Sequence, residues 1–141
     1  MNEITAITLC AFLLLQGGAF ASEVEKRGSK QKEDAQMQKL HDMMPIYAIA
    51  LAKMKGALEK EDPKAVAEEA GKILVTVADL KKGKPHKNLK QLKTFRSIAA
   101  GLESDLNEIV NLAKKEDFTK AKTVFKKADE KCTECHEKFR D

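Results

Sequence analysis

Apolar residues recur at steps of three and four along nearly the whole chain, and no stretch keeps the period-two alternation of a half-buried strand. Segment A runs from about Lys32 to Lys60, with the seam Met37, Leu40, Met44, Tyr47, Leu51, Met54, Leu58. Asp62-Pro63 restarts the chain, since Asp caps a helix N-terminus and Pro suits the first helical position. Segment B carries Val66, Ala70, Ile73, Val77 and Leu80 and stops near Gly83, with Pro85 just beyond. Segment C has the seam Leu92, Phe95, Ala99, Leu102, Leu106, Ile109, Ala113. Asp117 is the expected cap of segment D, whose seam is Phe118, Ala121, Phe125, Ala128, Cys132, Cys135, Phe139. Four amphipathic helices joined by short connections predict an all-α, antiparallel, up-down-up-down four-helix bundle with shallow crossing angles.

Two segments depart from this pattern. Pro45 lies inside segment A, where it removes a helix hydrogen bond and crowds the carbonyl of His41. The expected outcome is a kink in a long surface helix, with a pocket shaped near Met37 and His41 as the alternative. Residues 22–31 are polar and read as a frayed end.

The chain has 141 residues, one domain by size. Ile4 to Leu15 is almost unbroken in its apolar character, too short to span a bilayer comfortably, and is followed by Gly17-Gly18 and Ala19-Phe20-Ala21. This predicts an export signal over residues 1–21, cleaved after Ala21, and a domain over residues 22–141 in an oxidising, periplasmic setting. An uncleaved anchor is the alternative, because the segment before the apolar run holds Glu3 and neither Lys nor Arg. The formal charge is +4 and becomes +5 without residues 1–21, whose one charge is Glu3. Lysines interleaved with acids predict a solvated helical surface with a bias toward acidic partners, and without an arginine-rich stripe or interleaved aromatics they do not suggest nucleic-acid binding.

Cysteine usage is the sharpest feature. Cys10 falls in the signal, so the remaining domain keeps Cys132 and Cys135, and His136 follows. Cys132-Thr133-Glu134-Cys135-His136 is C-x-x-C-H, the attachment signature of c-type haem. Two thiols must reach the two vinyl groups along one porphyrin edge, and an imidazole must reach iron from one face. On a helix, residues 132, 135 and 136 project from one side. The apolar seam had already put both cysteines on the core side. A thioredoxin-like pair wants a strand-helix context. A structural zinc site wants four ligands, and only His41 and His86 remain to join. A plain disulfide leaves His136 without a role.

Here the chain resembles a known family. The run Cys132 to Arg140, with a phenylalanine and an arginine after the haem histidine, looks like the terminal signature of cytochrome c-prime and its low-spin relatives, the class II c-type cytochromes. The segment Phe95-Arg96 to Arg140 is also similar, in register, to the soluble b-type four-helix cytochromes. In segment A, Met37-Gln38-Lys39-Leu40-His41-Asp42 resembles the stretch that carries their distal methionine.

The resemblance implies one covalent haem c, His136 as proximal iron ligand and Arg140 beside a haem propionate. Phe95, Phe125 and Phe139 are seam residues that either wall the haem or simply fill the core. Class II relatives often pair through their first two helices, so a homodimer is open.

The sixth iron position decides between functions. In an antiparallel pairing of segments A and D, Met37 sits at the end of the bundle where His136 lies. A thioether opposite histidine raises the potential and suits electron transfer with other redox proteins. A vacant distal face suits binding of nitric oxide or carbon monoxide. Met37 is the expected ligand, with His41 one turn further along on the same face. Met43 and Met44 read as core, and no acid-base constellation points to an enzyme.

Overall fold

The computed structural model describes the backbone of residues 17–140 and the side chains of residues 35–140. The expected signal over residues 1–21 lies almost wholly outside the described residues. The chain divides at Ala35, and residues 36–141 form the compact unit that carries the bundle. Helix α1 spans Gly17–Glu59, α2 Pro63–Leu74, α3 Val77–Lys82, α4 Leu92–Lys114 and α5 Phe118–Phe139, with one 3-10 turn at Leu89–Gln91. Among the described residues every element is helical.

Two boundaries differ from the sequence expectation. Residues 22–31, expected to be frayed, are helical as part of α1. Their Glu, Lys, Arg and Gln content favours helix, and a lone Gly28 costs only about 1 kcal/mol. Segment B is not one helix: it breaks at Val75-Thr76 into α2 and α3. The β-branched run Val75-Thr76-Val77 weakens helix there. The Thr76 hydroxyl donates back to the Ile73 carbonyl at 3.2 Å and shares a 2.9 Å hydrogen bond with the Tyr47 hydroxyl. The break leaves the packing face intact: Val66, Ala70, Ile73, Val77 and Leu80 are all buried. Together α2 and α3 act as one arm of the bundle, and both pack on α4.

The core follows the seams. Leu106, Ile109 and Ala113 of α4 and Ala121 and Ala128 of α5 are fully buried, and Met54 and Leu58 of α1 meet Val66 and Ile73 of α2 in the same cluster. On α1 the row is broader than the seam, because Met43, Ala50 and Ala57 are buried as well. Tyr47 is buried beside Met43, with its hydroxyl bonded across to Thr76. Near the middle of α1, Leu40 lies against Gly83. A Cβ on Gly83 would come within 2.9 Å of Leu40 Cδ2, so this glycine is fixed by close approach. Its φ of −63° is one that any residue adopts.

One short sequence closes two helices. Lys60-Glu61-Asp62 ends α1 and Lys115-Glu116-Asp117 ends α4. In each, the glutamate is left-handed, with φ of 55° at Glu61 and 59° at Glu116. In each, the following aspartate N–H bonds back to the terminal turn at 3.0 Å, to Ala57 O and Leu112 O respectively. The same aspartate then caps the next helix: Asp62 Oδ1 accepts from the N–H groups of Lys64 and Ala65 at 3.0 Å, and Asp117 Oδ1 from Lys120 at 3.2 Å. Three residues thus reverse the chain.

The glutamate in this device is strained, since a Cβ in the left-handed region costs about 1 kcal/mol or more relative to glycine. Glu116→Gly is therefore expected to raise stability by up to about 1 kcal/mol. Chemical denaturation of the haem-loaded protein, which should show a higher midpoint at unchanged slope, checks it.

Candidate functional site

Several seam residues are only partly buried, although their pattern assigns them to the core: Met44 and Leu51 of α1, and Phe125, Cys132 and Cys135 of α5. They share one location. All line a single cavity of about 1250 Å³ between α1, α4 and α5, above the roughly 300–1,000 Å³ usual for small-molecule sites. Leu40, His41 and Met44 form part of its α1 wall, and Phe95, Ile98 and Leu102 of α4 its floor.

The chemistry is concentrated on α5. Cys132, Cys135 and His136 face the cavity from the last turns of α5, and Arg140 lines it from the residue that caps the helix. Both cysteines are free thiols. Burial pushes the Cys132 thiol up to about 11, with Asp129 and the neighbouring Cys135 acting in the same direction. Cys135 is raised for the same first reason, with Glu134 adding to it. At neutral pH both groups are therefore uncharged thiols against an apolar wall. Burial lowers His136 from its ordinary value of 6.5, and the nearby Arg140 cation pushes in the same direction. The imidazole is thus neutral at pH 7 and keeps a lone pair for a metal. Phe95 and Phe139 meet edge to face beside this end of the cavity, ring centroids 5.3 Å apart and planes at 79°.

Residues 83–88, between α3 and the 3-10 turn, form a strap across the end of the bundle. His86 Nε2 lies 3.0 Å from His41 Nε2 on α1. The Lys87 N–H donates to the Phe139 carbonyl at 3.5 Å, and the Asn88 side-chain amide donates to the Lys138 carbonyl at 2.6 Å, both on α5. Asn88 takes a left-handed conformation, φ 60°, to make the turn. The strap therefore holds the His41 turn of α1 and the last turn of α5 at one end of the molecule. Pro85 and His86 line the cavity there.

The structure brings Cys132, Cys135, His136, Arg140 and Phe95 together around one cavity. Met37 is half-buried, packs against the core one turn before His41, and is not among the cavity-lining residues. Met44, read from the sequence as core, does line the cavity. Its signal was present in the step of three from His41, but heptad spacing cannot separate a residue packed on a neighbouring helix from one facing a cavity. Pro45 faces the cavity beside His41 and Met44, which favours its pocket-shaping reading over a bland surface kink. The role of the strap was not legible, because it rests on contacts 45 to 50 residues apart in sequence.

A bundle with a haem-sized apolar cavity, two neutral thiols and a neutral imidazole on one helix face defines a class of c-type haem protein. The family model described as Cytochrome C' matches residues 84–140, the segment from the strap through α4 and α5. Over that segment the chain is similar to the cytochrome c' proteins, the class II c-type cytochromes, whose members bind a covalent c-type haem and are generally non-enzymatic. No curated protein and no solved structure matches the chain. Among the described residues no helix is long and apolar enough to cross a membrane.

The donor set fits the group: Cys132 and Cys135 would hold the porphyrin edge through thioethers, and His136 would bind iron. Replacing both cysteines by alanine is expected to abolish covalent attachment, read as loss of haem staining on a denaturing gel. Either single replacement should keep the haem attached through one bond, with the pyridine haemochrome band moved to longer wavelength.

Proposed function

We propose that this protein is a periplasmic electron-transfer cytochrome with His136 and Met37 as the two axial iron ligands. Haem bound here supplies a ferric/ferrous couple. What the chain contributes is a dry, fixed setting for it. His136 is positioned by α5, whose last turn is tied down by the strap, and its neutral state needs no proton loss on binding iron. Phe95, Phe125 and Phe139 line the cavity with apolar surface. Arg140 places a cation beside His136, where a propionate carboxylate would form a charge-assisted pair.

The observation that carries the reading is the common end of α1 and α5. The strap joins His41, one turn from Met37, to Phe139 and Lys138, one turn or less from His136. A thioether from that part of α1 can oppose His136 across the cavity. A methionine opposite histidine raises the potential and leaves no open coordination position, which suits electron transfer. Met44 is the thioether that lines this wall, and Met37 lies about two turns before it on α1.

Gas binding at a vacant distal face is the rival reading. The cavity favours it to this extent: its α1 wall beside His41 is apolar, built from Leu40, Met44, Pro45 and Ala48.

Optical spectra of the purified protein decide. Sharp reduced bands unmoved by carbon monoxide, with a weak near-infrared sulfur-to-iron band in the oxidised state, are expected. Met37→Ala should abolish the near-infrared band and make the reduced protein bind carbon monoxide, while Met44→Ala keeps the band. The reverse pattern assigns the ligand to Met44. Broad high-spin bands that shift with carbon monoxide in the unaltered protein sink the electron-transfer reading.

A further inference from the structure

From Leu80 to Leu102 the chain carries six lysines and Arg96 but no acidic residue. With 22 acids among 141 residues, a stretch this long would ordinarily hold three or four. The asymmetry is local. Around the α4–α5 turn, Lys114, Lys115 and Lys120 are interleaved with Glu116 and Asp117. Asp79 and Glu103 bound the acid-free stretch, and Glu103 pairs with Lys81 at 2.6 Å. Lys82, Lys84, Lys87, Lys90 and Lys93 are exposed.

This stretch includes the strap, and the strap crosses the cavity end beside His136 and Arg140. Its three tethers, to His41, Phe139 and Lys138, fix the backbone that carries the lysines. In the middle sits Leu89, 54% exposed, flanked in sequence by Lys87 and Lys90. An apolar spot rimmed by cations at the edge of a redox site has the anatomy of a transient protein interface, in which the rim steers encounter and the apolar centre gives short-range contact.

We propose that residues 81–96, from the end of α3 through the strap and the 3-10 turn to the first turn of α4, are the docking surface for a redox partner protein whose own centre is ringed by acidic side chains. The proposal deepens the electron-transfer reading and rests on it. Steering by such a patch acts on the association rate and falls off with salt, because exposed charges are screened beyond about 10 Å at 0.1 M ionic strength. The opposite end of the bundle supplies a matched control. Lys60, Lys114 and Lys115 are exposed there, roughly 30 Å away along α4 by helix rise.

The test uses the haem-loaded protein and two inorganic oxidants, the anion hexacyanoferrate(III) and the cation tris(phenanthroline)cobalt(III), mixed with reduced protein in a stopped-flow instrument. The triple variant Lys87→Glu, Lys90→Glu, Lys93→Glu is compared with Lys60→Glu, Lys114→Glu, Lys115→Glu, which changes net charge by the same amount. At low ionic strength the strap variant is expected to react with the anion about tenfold or more slowly than the control variant, and faster with the cation. Both differences should vanish near 1 M salt, where screening extends only about 3 Å. Equal effects of the two variants would mean that net charge alone matters and would overturn the proposal, as would no effect of either. If the glutamate variant fails to incorporate haem, the Lys→Gln triple is measured in its place, with the same ordering expected. Vesicles of equimolar phosphatidylglycerol and phosphatidylcholine test the competing occupant. Sedimentation with them that the strap variant loses, without the rate difference, assigns the patch to an anionic membrane surface and overturns a protein partner. Failure of the electron-transfer reading itself shows separately, as a high-spin spectrum sensitive to carbon monoxide.

Discussion

Cys132, Cys135 and His136 must all face one side of α5, and that side must face something apolar and wide enough to receive a porphyrin. A four-helix bundle normally fills the space between its helices with interdigitated side chains at crystal-like density. Here three helices keep a cavity of about 1250 Å³ between them. The rest of the structure follows from holding that space open at one end and closing the core tightly at the other.

The tight end is built from small and branched residues. Leu106, Ile109, Ala113, Ala121 and Ala128 are fully buried, and the two Lys-Glu-Asp turns reverse the chain in three residues each. At the open end, aromatic rings replace close helix packing. Phe95 and Phe139 brace one another, and Phe125 faces the cavity without being fully covered. The strap ties α1 to α5 where helix-to-helix contact gives way to cavity, so the wall opposite His136 does not depend on packing alone.

The electrostatics of the site follow from the same placement. Burial keeps the thiols protonated and His136 neutral, so the cavity presents uncharged donors to a hydrophobic group. Charged side chains also line the cavity, among them Lys126, Asp129, Lys131 and Arg140, while the strap lysines lie outside it. On the proposed reading, iron chemistry and encounter with a partner fall to different residues on adjoining surfaces. Substitutions at the rim should alter rates of association and leave the coordination of iron alone.

The sequence by itself determined the helices, the core rows and the attachment chemistry. Each of these is written in local spacing: steps of three and four, Asp before Pro, and a C-x-x-C-H on the apolar side of a helix. Even the break at Thr76 left the core positions of segment B where periodicity put them. Tertiary structure decided the rest. Whether Met44 packs on a helix or faces a cavity depends on how far apart α1 and α5 sit, and no local pattern encodes that distance. His41 meets His86, and Asn88 meets Lys138, only because the chain returns to the same end after 45 and 50 residues. The lysine run is visible as composition, but its position over the haem end exists only once the strap is tied across it.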